Sequence, residues 1–90
     1  MITLMLAVHD KESRTFRQPF SMNTKRDAVE SFRQVVNDEN SQFNKFPDDF
    51  DLVQVGEFCV RTGELKPMPP TVLASASSLL QKETLNKEEL

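Results

Sequence analysis

Few residues in this chain could carry covalent chemistry. His9 is the only histidine and Cys59 the only cysteine. Nucleophilic or acid–base catalysis needs a positioned base beside the attacking group, and these two stand far apart in sequence. His9 closes a strand pattern and reads as a strand-end residue. Cys59 lies inside another strand pattern and reads as a packed structural thiol. Asp48, Asp49 and Asp51 are dense enough to suggest metal carboxylates, but their spacing matches no calcium loop and supplies no glycine at the turn. Turn formation and helix capping account for them, and a metal-dependent nuclease built on them would lack a base. Gly56 and Gly63 are the only glycines, too few for a phosphate loop. The expectation is a protein that is not an enzyme, with no cofactor and no metal.

Binding chemistry remains. Lys25 and Arg26 fall in the first turn of an expected helix, where free backbone N–H groups already favour an anion. Arg14 and Arg17 interleave with Phe16 and Phe20, and Arg33 follows further along the helix. Cations among aromatics can bind a nucleic-acid single strand, tracking phosphates and stacking bases. The candidate phosphate contacts are therefore Arg14, Arg17, Lys25, Arg26 and Arg33, with Phe16 as the stacking ring. Charge is compatible with this: residues 1–34 carry a net +2, residues 35–66 a net −4 and the rest −1, for −3 in all. A basic first third permits a nucleic-acid surface without forming a strong basic footprint.

These side chains need elements to position them. Ile2, Leu4, Leu6 and Val8 alternate along a first strand. Residues 14–22 alternate again, with Phe16, Gln18, Phe20 and Met22 opposite Arg17 and Ser21, and Pro19 marks an edge or bulge. The period then becomes helical. Thr24 and Asp27 form a capping pattern, Ala28, Val29, Phe32, Val35 and Val36 make one apolar stripe, and Asn37-Asp38 ends the helix. Phe43, Phe46 and Phe50 anchor a structured loop. Residues 51–60 return to period two, with Leu52, Gln54, Gly56, Phe58 and Val60 on one side and Val53, Val55 and Cys59 on the other. Both sides are apolar, so this strand is central, and Gly56 marks a bulge or close approach. Gly63 takes the left-handed position of a tight turn into a short strand at residues 65–68.

The fold class is thus α+β: a small antiparallel sheet of two hairpins with one helix packed on it, ordered β-β-α-β-β. The domain spans 1–70. Residues 71–90 form a C-terminal tail, a frayed helix or disordered, after the rigid Pro67–Pro70 connector. Ninety residues bury only about two-thirds of the unfolded surface, so a homodimer is expected. The apolar start is too short for a membrane span or signal peptide, and a lone cysteine suits a reducing cytoplasm.

The ordered set "QPFSMNTKRDAVESFRQVVND" and "FNKFPDDFDLVQVGEFCVRTGELKP" resembles the small nonstructural protein of gokushoviruses, single-stranded DNA phages of the Microviridae. The matching residues are Pro19, Phe20, Val36, Asn37, Asp38, Pro47, Asp49, Phe50, Leu52, Gly56, Glu57, Phe58, Thr62 and Gly63. The similarity covers Met1 to Pro70, and Cys59 departs from the acidic residue usual there. It implies a phage protein of the host bacterial cytoplasm that binds single-stranded DNA during genome synthesis and packaging. The alternative is an adaptor docking on a phage replication or procapsid protein through its tail and a sheet edge.

Overall fold

The computed structural model describes residues 1–81. Its elements are β1 (Ile2–Asp10), β2 (Thr15–Phe16), β3 (Phe20–Met22), α1 (Lys25–Val36), α2 (Gln42–Lys45), a 3-10 turn (Pro47–Asp49), β4 (Phe50–Cys59), β5 (Leu65–Ser75) and α3 (Ala76–Leu79). One five-stranded antiparallel sheet runs β2-β1-β4-β5, and β3 also pairs with β1. The α+β class expected from the sequence is the observed one.

Even-numbered residues of β1 face the helices. Leu6 and Val8 join Leu52 of β4 in a core with Ala28, Phe32 and Val36 of α1. Leu6, Leu52 and Val36 are fully buried, and each such side chain contributes about 1.5–3 kcal/mol relative to exposure. The α1 stripe is narrower than its sequence suggests, because Val35 is 41% exposed. Of the loop rings, Phe43 packs edge-on against Phe50 at 4.7 Å and tilted against Phe32 at 5.5 Å. Phe46, expected as a third anchor, is 58% exposed.

Bulges overturn two of the face assignments. Residues 14–22 are not one strand: β2 pairs His9 with Phe16, whereas β3 pairs Leu6 with Phe20. The break at Arg17–Pro19 puts Phe16 on the side away from the helices and Phe20 on the helix side. In β4 the register passes from Leu6↔Gln54 to Met5↔Gly56, leaving Val55 unpaired. An extra residue inverts the alternation beyond it. Glu57 and Cys59 therefore share the helix side with Leu52 and Gln54, while Gly56 and Phe58 do not. Gly56 also meets the expected close approach, since a Cβ there would lie 2.6 Å from the Lys66 carbonyl oxygen.

The expected boundary at Pro70 is replaced by continuous structure. β5 runs from Leu65 to Ser75, through prolines that the sequence reading made a connector. The ladder steps from Gly56↔Pro67 to Gln54↔Thr71, so residues 68–70 bulge out and owe no donor to β4. Prolines on an edge strand cost little there. Beyond it Ser75 caps α3 by accepting the Ser78 N–H at 3.2 Å, and Ala76 and Leu79 are buried in the core. Asn37 locks this end down: its Nδ2 donates to the Leu79 carbonyl at 3.1 Å and its Oδ1 accepts the Gln81 N–H at 2.7 Å. The remainder of the expected tail, 82–90, lies outside the described residues.

Candidate functional site

Lys25 and Arg26 open α1. Thr24 is extended (φ −141°, ψ 161°), and its hydroxyl accepts the Asp27 N–H at 3.0 Å. The amides of Lys25 and Arg26 precede the first intrahelical bond and face outward. Both side chains are exposed, and neither enters an ion pair among the described residues. Asp27 in the same turn lowers the local positive charge.

Arg14 and Phe16 lie elsewhere. The helix start follows the Leu4–Met22 pair, whereas Arg14 sits in the turn beyond Asp10, six strand residues or roughly 20 Å away. That turn is tight: Arg14 has φ 62° and donates its N–H to the Asp10 carbonyl at 2.8 Å. The Asp10 carboxylate accepts the N–H groups of Glu12 and Ser13 at 3.0 and 3.3 Å. Phe16 stacks on His9, centroids 4.4 Å apart at 23°, and stays 47% exposed.

The other candidates have partners of their own. Arg17 donates to Gln42 Oε1, and its guanidinium carbon lies 5.5 Å from the Phe43 ring centre and 5.3 Å from that of Phe50. It closes the end of the core through cation–π contact. Arg33 is held by Glu30, Nε to Oε1 3.3 Å. The candidate residues thus form two separate cationic places, the α1 start and the Arg14–Phe16 turn. Nothing in one-dimensional spacing could have shown Arg17 folding over rings that follow it by 26 and 33 residues.

His9 and Cys59 are held apart. His9 pairs with Asp51 in the β1–β4 ladder and Cys59 with Ile2, a separation of seven strand residues or roughly 23 Å. Cys59 borders a hollow of about 150 Å³ with Ile2, Glu57, Thr62, Glu64 and Lys66. The Thr62 hydroxyl, helped by the Thr62 and Arg61 amides, holds its thiol below the ordinary value. Asp51 pairs with Lys11 at 3.6 Å. Among the described residues no three His, Cys, Asp or Glu side chains converge as metal ligands, and no helix is long and apolar enough to cross a membrane.

The second apolar side of β4 expected from the sequence forms a sheet face without helices among the described residues. Thr3, Met5, Ala7 and His9 of β1 face away from the core with Val53, Gly56 and Phe58 of β4. None of the core contacts that the helices make is to this side. Leu65 and Val72 of β5 extend it, 60% and 58% exposed. Its signal in sequence was that both sides of β4 are apolar.

An antiparallel sheet with helices on one side and, among the described residues, an apolar face without helices on the other defines a small α+β domain. The family described as Phage ORF5 protein matches residues 3–79, and the chain belongs to that bacteriophage protein family. The match runs nine residues past Pro70, where the resemblance in sequence stopped, and ends at the last residue of α3. No curated protein and no solved structure matches the chain.

Proposed function

We propose that this is a non-enzymatic nonstructural protein of a gokushovirus-like member of the Microviridae, binding single-stranded DNA in the host bacterial cytoplasm during genome synthesis and packaging. The observation that carries the reading is the Arg14–Phe16 turn, where a half-exposed aromatic ring stands two residues from an exposed cation. A stacking face beside a cation suits a base and its phosphate without sequence preference. Lys25 and Arg26, exposed and free of ion pairs among the described residues, add a second phosphate contact. The distance between His9 and Cys59 supports a binding role over a catalytic one.

Fluorescence anisotropy with a single-stranded oligonucleotide tests it. Each neutralised phosphate contributes about −0.7 to the slope of log affinity against log salt. Lys25→Glu with Arg26→Glu should weaken binding strongly and flatten that slope, Phe16→Ala should weaken it with the slope retained, and Lys82→Glu with Lys87→Glu should change little. A parent chain without salt-dependent affinity at low salt removes the proposal. The adaptor reading then stands, favoured by the apolar sheet face, with a phage replication or procapsid protein as partner.

A further inference from the structure

The sheet face turned away from the helices carries Met1, Val60, Leu65 and Val72, with Phe16 at its margin, among the exposed large apolar side chains of the described residues. Leu65 and Val72 are on it. Val60 donates its N–H to the Met1 carbonyl at 2.9 Å and so continues the Ile2↔Cys59 register by one step. That places Met1 and Val60, 69% and 53% exposed, on the same side. Between these groups the floor is small and already buried: Ala7 is 3% and Val53 2% exposed. The Thr3 hydroxyl is buried there with no hydrogen-bond partner. Asp51, at one end and tied to Lys11, is the only charged residue among the β1–β4 ladder positions of this face.

We infer that this face is a homodimer interface, closed by a second copy of the same face across a two-fold axis. Other occupants fit less well. Nucleic acid requires cations, and the face has none in its ladder positions. Residues 82–90 of the chain carry five charged side chains, and the described chain leaves from Gln81 against Asn37 at the α1 end, on the helix side. Strand addition at an edge is blocked: β5 presents Pro67, Pro69 and Pro70, and the β2/β3 edge is interrupted at Pro19, which withholds the donors that an added strand needs. A face whose one ladder charge, Asp51, is paired with Lys11 meets a copy of itself without strong repulsion, and a two-fold contact of this kind is isologous. With strands about 4.8 Å apart and about 3.3 Å per residue, four strand positions of nine residues span roughly 30 by 19 Å. Two copies then cover roughly 1,100 Å², which clears the roughly 1,000 Å² that a specific interface needs and lies at the small end of such interfaces. The helix layers stay outside, and Phe16 of the edge strand β2, opposite His9, lies at the margin of this same side; the inference itself rests on no DNA contact.

Sedimentation equilibrium of the full chain tests it. The parent should show twice the 10.3 kDa chain mass at tens of micromolar and dissociate on dilution. Val72→Asp and Leu65→Asp, both at exposed positions, should be monomeric throughout with an unchanged circular dichroism spectrum. Phe46→Asp, an equally exposed residue off this sheet face, should dimerise like the parent. On dilution of the unmodified chain, NMR shifts should move at Leu65, Val72 and Met5 and stay fixed at Phe46. A parent that remains monomeric at hundreds of micromolar, or dilution shifts confined to the helix side, overturns the interface. Single-strand affinity lost in Phe16→Ala but kept per chain in Val72→Asp separates this result from the DNA reading.

Discussion

The two faces of one sheet are built from the same strands, yet they hold their apolar residues in opposite ways. On the helix side the large side chains are deep: Leu6 and Leu52 have no exposure and Phe50 has 4%. On the other side Ala7 and Val53 of the central strands are deep, while Leu65 and Val72 of the edge strand β5 stand in solvent. The covered face draws its stability from large groups removed from water, whereas the uncovered one keeps the apolar groups of its edge strand available. Strand alternation makes two faces; what packs on each decides which becomes core.

Phe50→Ala should have the largest effect. Its ring holds Phe43 and carries Arg17 above it, and emptying such a site costs about 3–5 kcal/mol. Val72→Ala, measured at concentrations low enough to keep the chain monomeric, should move stability by no more than about 0.5 kcal/mol. Equal losses in urea denaturation would break the comparison between the faces. Gly56→Ala comes next, since the bulge that separates the two faces brings the Lys66 carbonyl oxygen to 2.6 Å of any Cβ. Backbone must shift to admit it, at about 1–3 kcal/mol; a variant as stable as the parent would show that the β4–β5 contact is looser than drawn.

Gly63→Val tests the far end of the hairpin. Gly63 has φ 77° with open space around its Cα, so the cost is conformational alone, about 1–2 kcal/mol. Thermal unfolding should register it without loss of cooperativity. The smallest effect concerns Cys59. Its pKa is lowered chiefly by the Thr62 hydroxyl, so alkylation by iodoacetamide should begin at lower pH than for a free thiol, and Thr62→Val should move that onset upward. A lowered folded-state value makes the associated stability present above the unfolded thiol's pKa and lost as pH falls through the folded one. A pH profile identical in the two proteins would show that Thr62 does not reach the sulfur.

Local signals were legible wherever a single residue type fixes the backbone or its partner. Thr24 caps α1, Asn37 ends it, and Gly63 takes the left-handed turn position, each determined by chemistry within a few residues. Period two likewise identified β1 and β4. What alternation could not supply was phase across a defect. Val55 drops out of the ladder because β1 has no residue opposite it, and β5 threads its prolines because residues 68–70 bulge away from β4. Neither is visible until two strands are aligned.

The candidate contacts divide in the same way. Sequence determined that the cations and rings of the first third are interleaved, and that Lys25 and Arg26 begin a helix. Only the tertiary structure decided that Arg17 lies over Phe43 and Phe50 and that Arg33 pairs with Glu30, while Arg14 and Phe16 stay exposed. The reason is physical: a period specifies which side of an element a residue occupies, but whether that side meets core, solvent or another copy depends on elements brought together from distant parts of the chain.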